Sequence, residues 1–234
     1  MENSDLAVII PVYNEHQIIG QVINDWNEAL KQLSISYEIH VYNDGSKDNT
    51  LDVLQSFAAK YPNLKIHDKT NSGHGSTILT GYRENLHAEW IFQVDSDNEI
   101  SATFFKEFWD QREDYDFITG TRQHHNRPFV RKVISYISLL LVSVFYGKGI
   151  KDVNVPYRLM RSTKFVTFFN TIPPDTFAPN VIISGCAVRN HLRVKQIPIS
   201  SHLRETGEVS IKKWKLFKVA LKSFIQTIRY RLNN

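Results

Sequence analysis

Apolar and polar positions alternate along this chain in a pattern that predicts its elements. Leu6 to Val12 is an unbroken apolar run rich in β-branched residues, closed by Pro11-Val12-Tyr13-Asn14, and reads as a buried strand. From Glu15 to Leu33 the apolar residues Ile18, Ile19, Val22, Ile23, Trp26 and Leu30 recur at helical spacing. Tyr37 to Tyr42 predicts a second strand, and Thr50 to Lys60 a helix capped near Ser46 or Asp48. Asn63 to His67 predicts a short third strand, and Gly73 to Leu86 a helix opened by glycines. Glu89 to Val94 predicts a fourth strand, followed by a helix over Ala102 to Arg112 and a strand over Asp116 to Thr121. Beyond residue 122 the pattern turns to helices, a loop with Pro173-Pro174, and one late strand over Arg193 to Ile199.

Alternation of strand and helix up to residue 121 implies an α/β fold: a mostly parallel, Rossmann-like sheet flanked by helices. The remainder predicts a C-terminal helical elaboration on the acceptor side. The expected organisation is one domain over 1–210, with halves at 1–121 and 122–210, and a basic amphipathic helix over 211–234. In such sheets ligands bind beyond the carboxyl ends of strands. Four polar segments fall there: Tyr13-Asn14-Glu15, Asp44-Gly45-Ser46, Asn71 to Gly75, and Asp95-Ser96-Asp97.

Each segment has a chemical reading and a plainer one. Asp95-Ser96-Asp97-Asn98-Glu99 offers carboxylates around a short turn, a donor set suited to Mg²⁺ or Mn²⁺ bridging phosphates, or else a solvated acidic turn capping the next helix. Asp44, beside the tight turn at Gly45, is placed to accept hydrogen bonds from a nucleobase or ribose, or simply belongs to a polar β-to-α turn. Asn71-Ser72-Gly73-His74-Gly75-Ser76 resembles part of a dinucleotide fingerprint, but Ile78 stands at the third glycine position and the loop is not in the first β-α unit. A nicotinamide dehydrogenase is therefore disfavoured, while Gly73 still permits close approach of a phosphate or sugar to a helix start.

In order and spacing, VIIPVYNE, YNDGSKDNT, NSGHGS and QVDSDNE resemble the inverting family 2 glycosyltransferases of GT-A fold. Gly120-Thr121-Arg122, the run DVNVPYRL from Asp152, and Arg204 with Gly207 and Ser210 resemble the branch of dolichyl-phosphate mannosyltransferases and bacterial polyprenyl-phosphate glycosyltransferases. The resemblance implies that Pro11, Tyr13, Glu15 and Asp44 hold the nucleoside of a UDP- or GDP-sugar, with Gly73 and Ser96 lining the donor site. It implies Asp95, Asp97 and Glu99 as ligands of Mg²⁺ or Mn²⁺. Arg122, Arg131, Arg204 and Ser210 would meet phosphates of donor or acceptor, with Asp97, Arg122 and Arg204 closest to the chemistry. Relatives that glycosylate hydroxyls carry a catalytic carboxylate where this chain has Phe177-Ala178-Pro179-Asn180, and Asn180 cannot take up a proton. A hydroxyl needs a base to attack, whereas a lipid phosphate is already anionic, so a polyprenyl phosphate acceptor is expected.

Charge changes the picture at the end of the chain. Of 28 basic and 24 acidic residues among 234, seven basic and no acidic ones lie from Val209 onward, so the rest is net acidic by three. The basic balance belongs to the tail and does not indicate nucleic-acid binding. Ile211, Trp214, Phe217, Leu221, Phe224 and Ile228 form a helical apolar stripe, with Lys212, Lys215, Lys222 and Arg229 on another face. This suits peripheral contact with anionic lipid at the cytoplasmic membrane face, or packing on the core. Val133 to Tyr146, too short to span a bilayer, predicts a second interfacial helix or a buried one. An integral-membrane partner is compatible with that location. The early apolar run lacks a basic leader, and no signal peptide is read from it. The lone Cys186 excludes an internal disulfide and fits a packed thiol in a reducing compartment.

Overall fold

A computed structural model describes residues 4–123, 129–201 and 213–234, with side chains described except at 129–131 and 213–219. The elements run β1 (Leu6–Val12), α1 (Ile19–Lys31), β2 (Tyr37–Asp44), α2 (Thr50–Ala58), β3 (Leu64–Lys69), α3 (His74–Glu84), β4 (Trp90–Val94), α4 (Phe105–Asp110), β5 (Phe117–Arg122), α5 (Phe129–Phe145), β6 (Tyr157–Arg161), α6 (Ser162–Thr171), α7 (Pro179–Arg189), β7 (Val194–Ile199) and α8 (Lys213–Asn233). Short 3₁₀ turns flank α4, so the single helix expected over Ala102 to Arg112 is broken into three pieces.

All seven strands join one sheet in the order β3-β2-β1-β4-β6-β5-β7. Every pairing is parallel except those of β6, which runs antiparallel to both β4 and β5. The mostly parallel α/β sheet expected from the alternation is present. The helical reading of the segment after residue 122 needs correction, because β6 enters the sheet centre there. Its sequence, Tyr-Arg-Leu-Met-Arg, places a charge inside a short apolar run and so hides the strand period.

Alternate residues of each strand feed two cores. Leu6, Val8, Ile10 and Val12 of β1 pack with α1 and α4, around Trp26, Phe92, Phe105 and Tyr157. Ala7 and Ile9 face the opposite layer, where α3, α5, α6 and α7 lie. Burial on both faces explains why β1 reads as a continuous apolar run rather than an alternating one.

Of the two arrangements open to the C-terminal helix, packing on the core is present. α8 packs on the body through Ala220, Ser223, Thr227 and Tyr230, all buried, and not through the stripe containing Leu221. The hydroxyl of Tyr146 donates to the carbonyl of Thr227 at 2.8 Å, and Arg231 Nε donates to the carbonyl of Phe145. Leu221 and Ile225 are left about half exposed. Among the described residues, no helix is long and apolar enough to cross a membrane.

Candidate active site

The polar segments predicted for one sheet edge do meet there. β1 ends at Val12, leaving Tyr13 exposed, and Asn14 takes the left-handed conformation with φ 55°. Its backbone N–H donates to Ser46 Oγ at 2.9 Å while its side-chain oxygen accepts from the backbone of Lys47 at 2.7 Å, joining the first two strand-end loops. Glu15 is buried, and its N–H donates to Thr50 Oγ1 at 3.0 Å. Pro11 lies buried near the carboxyl end of β1, opposite Tyr42.

Asp44 reaches the same edge, but its carboxylate holds a neighbouring loop. It accepts from the backbone N–H of Ser72 at 2.8 Å and of Gly73 at 2.9 Å, and it is ion-paired with Lys69. Burial works against the charged form, yet the Lys69 and Ser72 hydrogen bonds outweigh it and hold the pKa below the usual carboxylate value. Gly45, at φ 66°, is required here: a Cβ would stand 2.9 Å from the backbone nitrogen of Asn71. The second and third polar segments are thus one interlocked unit, with Gly73 at its exposed corner leading into α3.

The fourth segment follows β4. Asp95 Oδ1 accepts from Gln93 Nε2 at 2.9 Å, and His74 Nε2 lies 3.6 Å from the same oxygen. Burial pushes the Asp95 carboxyl up to about 6; His74 and Arg122 pull it down, and the charges of Asp97 and Glu99 push it further up. Ser96 is buried, and Asp97 Oδ1 accepts from the Glu99 backbone at 3.2 Å across Asn98, another left-handed residue. The Asp97 bond is an Asx-type turn that fixes the loop.

Asp95, Asp97, Glu99, Arg122, His74 and Asn180 line one cavity of about 320 Å³. The amino ends of α3 and α7 both border it, through His74 and through Pro179-Asn180. Helix amino ends favour anions. A carboxylate cluster beside them is suited to a hard cation between the protein and a diphosphate, so the donor set fits Mg²⁺ or Mn²⁺. The described side chains whose ligand atoms already lie within 4.8 Å of one another are a different set, Glu38, His40 and His87. The approach of α3 to the 176–177 loop depends on Gly75, where any Cβ would overlap the carbonyl oxygens of Thr176 and Phe177.

Arg122 is not a free phosphate ligand in this arrangement. It makes a bidentate pair with Asp152, Nε to Oδ2 at 2.7 Å and Nη2 to Oδ1 at 2.9 Å, while still lining the cavity. Arg204 and Ser210 lie outside the described residues, as does the side chain of Arg131.

Sequence reasoning missed the scaffold behind these groups. Asn180 is buried at the start of α7; its Nδ2 donates to Gln93 Oε1 at 2.9 Å, and its Oδ1 accepts from the Tyr82 hydroxyl at 3.0 Å. Gln93 in turn holds Asp95. Arg158, wholly buried on β6, donates to the carbonyls of Val153, Val155 and Asn180, and burial lowers its pKa to about 10. Its charge sits among carbonyls behind the acidic cluster. Gln93 and Arg158 leave the same signal, a lone polar side chain inside an apolar strand, which is costly unless fully hydrogen-bonded.

The model described as Glycosyl transferase family 2 matches residues 7–165. A dolichyl-phosphate beta-glucosyltransferase of Dictyostelium discoideum is 27% identical over 223 residues, covering 86% of this chain and 67% of the relative. An undecaprenyl-phosphate 4-deoxy-4-formamido-L-arabinose transferase of Serratia proteamaculans is 26% identical over 218 residues, covering 92% and 65%. The chain thus spans about two thirds of the length of these curated relatives. Among solved structures, glucosyl-3-phosphoglycerate synthase of Mycobacterium tuberculosis, in complex with Mn²⁺, UDP and glucosyl-3-phosphoglycerate, superposes with a TM-score of 0.67 at 11% identity, covering 97% of this chain and 80% of that one. S. aureus TarS in complex with UDP-GlcNAc gives 0.61 at 18%, covering 92% and 64%. The fold is GT-A, the relatives are polyprenyl-phosphate glycosyltransferases, and this chain belongs to glycosyl transferase family 2.

Proposed function

We propose that the chain transfers a sugar from a UDP- or GDP-sugar to a polyprenyl phosphate, by direct displacement with inversion, at the cytoplasmic face of a membrane. One observation carries the choice of acceptor. The cavity holding Asp95, Asp97 and Glu99 is also lined by Ile134 and Ser135 of α5. Farther along that helix, Tyr136, Leu140 and Val144 are outward-facing and more than half exposed, at 67%, 51% and 68%. A polar reaction site bordered by a helix that also carries exposed apolar side chains suits an acceptor with a phosphate head and a hydrocarbon tail.

A divalent cation held by Asp95, Asp97 and Glu99 would supply charge neutralisation for the departing nucleoside diphosphate. The amino ends of α3 and α7 favour the same negative charge, and Gln93 and His74 fix the orientation of Asp95. Pro11, Tyr13, Glu15 and Asp44 are the proposed nucleoside contacts, with Gly73 and Ser96 beside them. Lys69 is ion-paired with the Asp44 carboxylate, so a nucleoside contacting that carboxylate would share it with Lys69. Arg122 contributes positive charge while locked to Asp152. Arg131, Arg204 and Ser210 are proposed for the acceptor phosphate.

Asn180, standing where hydroxyl-glycosylating relatives carry a carboxylate, supports a phosphate acceptor. Asn180 spends its side-chain amide on Gln93 and Tyr82. Asp175, the nearest carboxylate in sequence, is turned toward α8, 72% exposed and 3.9 Å from Lys222. An anionic phosphate oxygen attacks without proton removal. The test is transfer of radiolabelled sugar from UDP- and GDP-sugars, with Mn²⁺, to a short polyprenyl phosphate. A lipid-extractable, mild-acid-labile product is expected; label appearing only in an oligosaccharide would instead establish a hydroxyl acceptor.

A further inference from the structure

The amino-terminal end of the sheet carries a second cluster that the transfer reaction does not use. Glu38 and His40 lie on the same side of β2, and His87 comes from the loop between α3 and β4. Asp44 ends the same strand six residues after Glu38, roughly 20 Å away at the rise of an extended strand. His40 is 7% exposed at its side chain, with Glu38 and His87 at 28% and 27%. One ligand is therefore buried, while the other two leave a path from solvent.

Both imidazoles present the same kind of atom to the same oxygen. His40 Nε2 lies 3.3 Å and His87 Nε2 3.2 Å from Glu38 Oε2. Tetrahedral Zn²⁺ with bonds of about 2.0 Å spaces its ligand atoms about 3.3 Å apart. We propose that Glu38, His40 and His87 form a zinc site, with the carboxylate and the two Nε2 atoms as ligands and water in the fourth position.

The surrounding hydrogen bonds favour metal over protons. His40 Nδ1 is 3.0 Å from His67 Nε2, and His67 Nδ1 is 3.7 Å from Glu84 Oε2, which also accepts from the Tyr42 hydroxyl at 2.9 Å. If His40 instead gave its Nε2 proton to Glu38, its Nδ1 would have to accept from His67. Neutral His67 would then turn a lone pair toward the Glu84 carboxylate. With zinc on Nε2, His40 Nδ1–H donates to His67, and His67 Nδ1–H points at Glu84. Every partner then has the right polarity, in the manner by which zinc-bound imidazoles are oriented by an outer acceptor. His67 stacks on Tyr42, with ring centroids 4.2 Å apart, so this outer residue is held in place. The site joins β2 to the turn that leads into β4, away from the reaction cavity, and its role is to clamp those segments.

The experiment uses tag-free, full-length protein stripped with chelator, dialysed against Zn²⁺ and desalted. Wild type and Asp97→Ala are each expected to retain one zinc per chain, which separates this site from the acidic cavity. His87→Ala and Glu38→Gln, first shown to match the chelated wild type in circular dichroism, should bind zinc at least about tenfold more weakly by competition with a chromophoric chelator. Co²⁺ substitution should give the intense visible bands of four-coordinate cobalt in wild type, absent from both variants. Zinc should raise the Tm of wild type and leave that of His87→Ala unchanged. Equal zinc affinity in wild type and both variants, or failure of wild type to retain zinc, overturns the proposal.

Discussion

Gln93 and Asn180, 87 residues apart, share a buried hydrogen bond of 2.9 Å that ties the strand carrying Asp95 to the first turn of α7. Gln93 uses its other end on Asp95, so a side chain from the far half of the chain braces the strand that carries the acidic cluster. Asn180→Ala should leave Gln93 and Tyr82 short of a partner and destabilise the protein by roughly 1–3 kcal/mol, read as a lower urea midpoint with unchanged slope. Activity of the folded fraction should fall only modestly, because no proton is removed there. A loss of about a thousandfold or more, beyond the range of a positioning hydrogen bond, would mark Asn180 as catalytic and count against the phosphate acceptor.

Asp97→Ala removes a half-buried carboxylate whose one described hydrogen bond is within its own turn. The fold should survive, with a Tm within a few degrees of wild type. Calorimetric titration of UDP and GDP in Mn²⁺ should show binding to wild type and little or none to the variant, and turnover should be lost. Full activity of Asp97→Ala in metal-free buffer would remove it from the proposed ligand set.

Asp116 anchors the start of β5 to the start of β7. Its carboxylate accepts from Arg193 Nη2 and from the Arg193 backbone N–H, both at 3.0 Å. The Arg193 hydrogen bond is the largest influence, and it holds the folded pKa below the ordinary aspartate value of 3.8. The unfolded state therefore binds the proton more readily, and stability is gained as pH rises. Asp116→Asn should be less stable than wild type above pH 4. The difference should shrink as pH falls through and below 3.8, where wild type also loses its charge. Denaturant melts of both proteins between pH 3 and 7 would check it; a gap that widens on acidification would contradict the assignment.

The exposed apolar side chains of α5 and α8 lend themselves to direct test. Leu140→Asp with Val144→Asp, or Leu221→Asp with Ile225→Asp, alters residues at least half exposed and should leave the Tm within a few degrees of wild type. Sedimentation with anionic vesicles should fall several-fold for each pair, while transfer to a water-soluble prenyl phosphate persists. Neutralising Lys212, Lys213, Lys215 and Lys218 should lower vesicle binding and its salt sensitivity, each charge contributing about 1 kcal/mol. Vesicle binding equal to wild type in all three variants would refute peripheral contact through these helices.

The first half of the fold was legible in the sequence because β1, β2 and β4 are largely buried on both faces and its helices on one. Those two periods differ enough to be read without structure. β1 was bounded to the residue, and the polar segments after β1, β2, β3 and β4 do meet at one edge. β6 was not legible, because burial of Arg158 depends on carbonyls from the 153–155 loop and α7, contacts that no local pattern records. The packing face of α8 was not legible for a related reason. Small and hydroxyl-bearing side chains let two helices approach closely and find partners, so Ser223 and Thr227 went inward while Leu221 stayed out. Asp44 lies at the edge and Arg122 lines the cavity, but the loop and Asp152 that occupy them are visible only in three dimensions.

The antiparallel insertion of β6 also orders events during synthesis. β4 and β5 follow one another in the chain, yet they are separated in the sheet by a strand made about 35 to 40 residues later. As the polypeptide leaves the ribosome, β1 to β4 can assemble, but β4 keeps an open edge of Trp-Ile-Phe-Gln-Val until Tyr157–Arg161 emerges. Unpaired apolar edges of this kind nucleate aggregation. A nascent chain stalled before residue 157 would present that edge to chaperones or to its neighbours, so the vulnerable interval of this protein's biogenesis is the time taken to translate from β4 to β6.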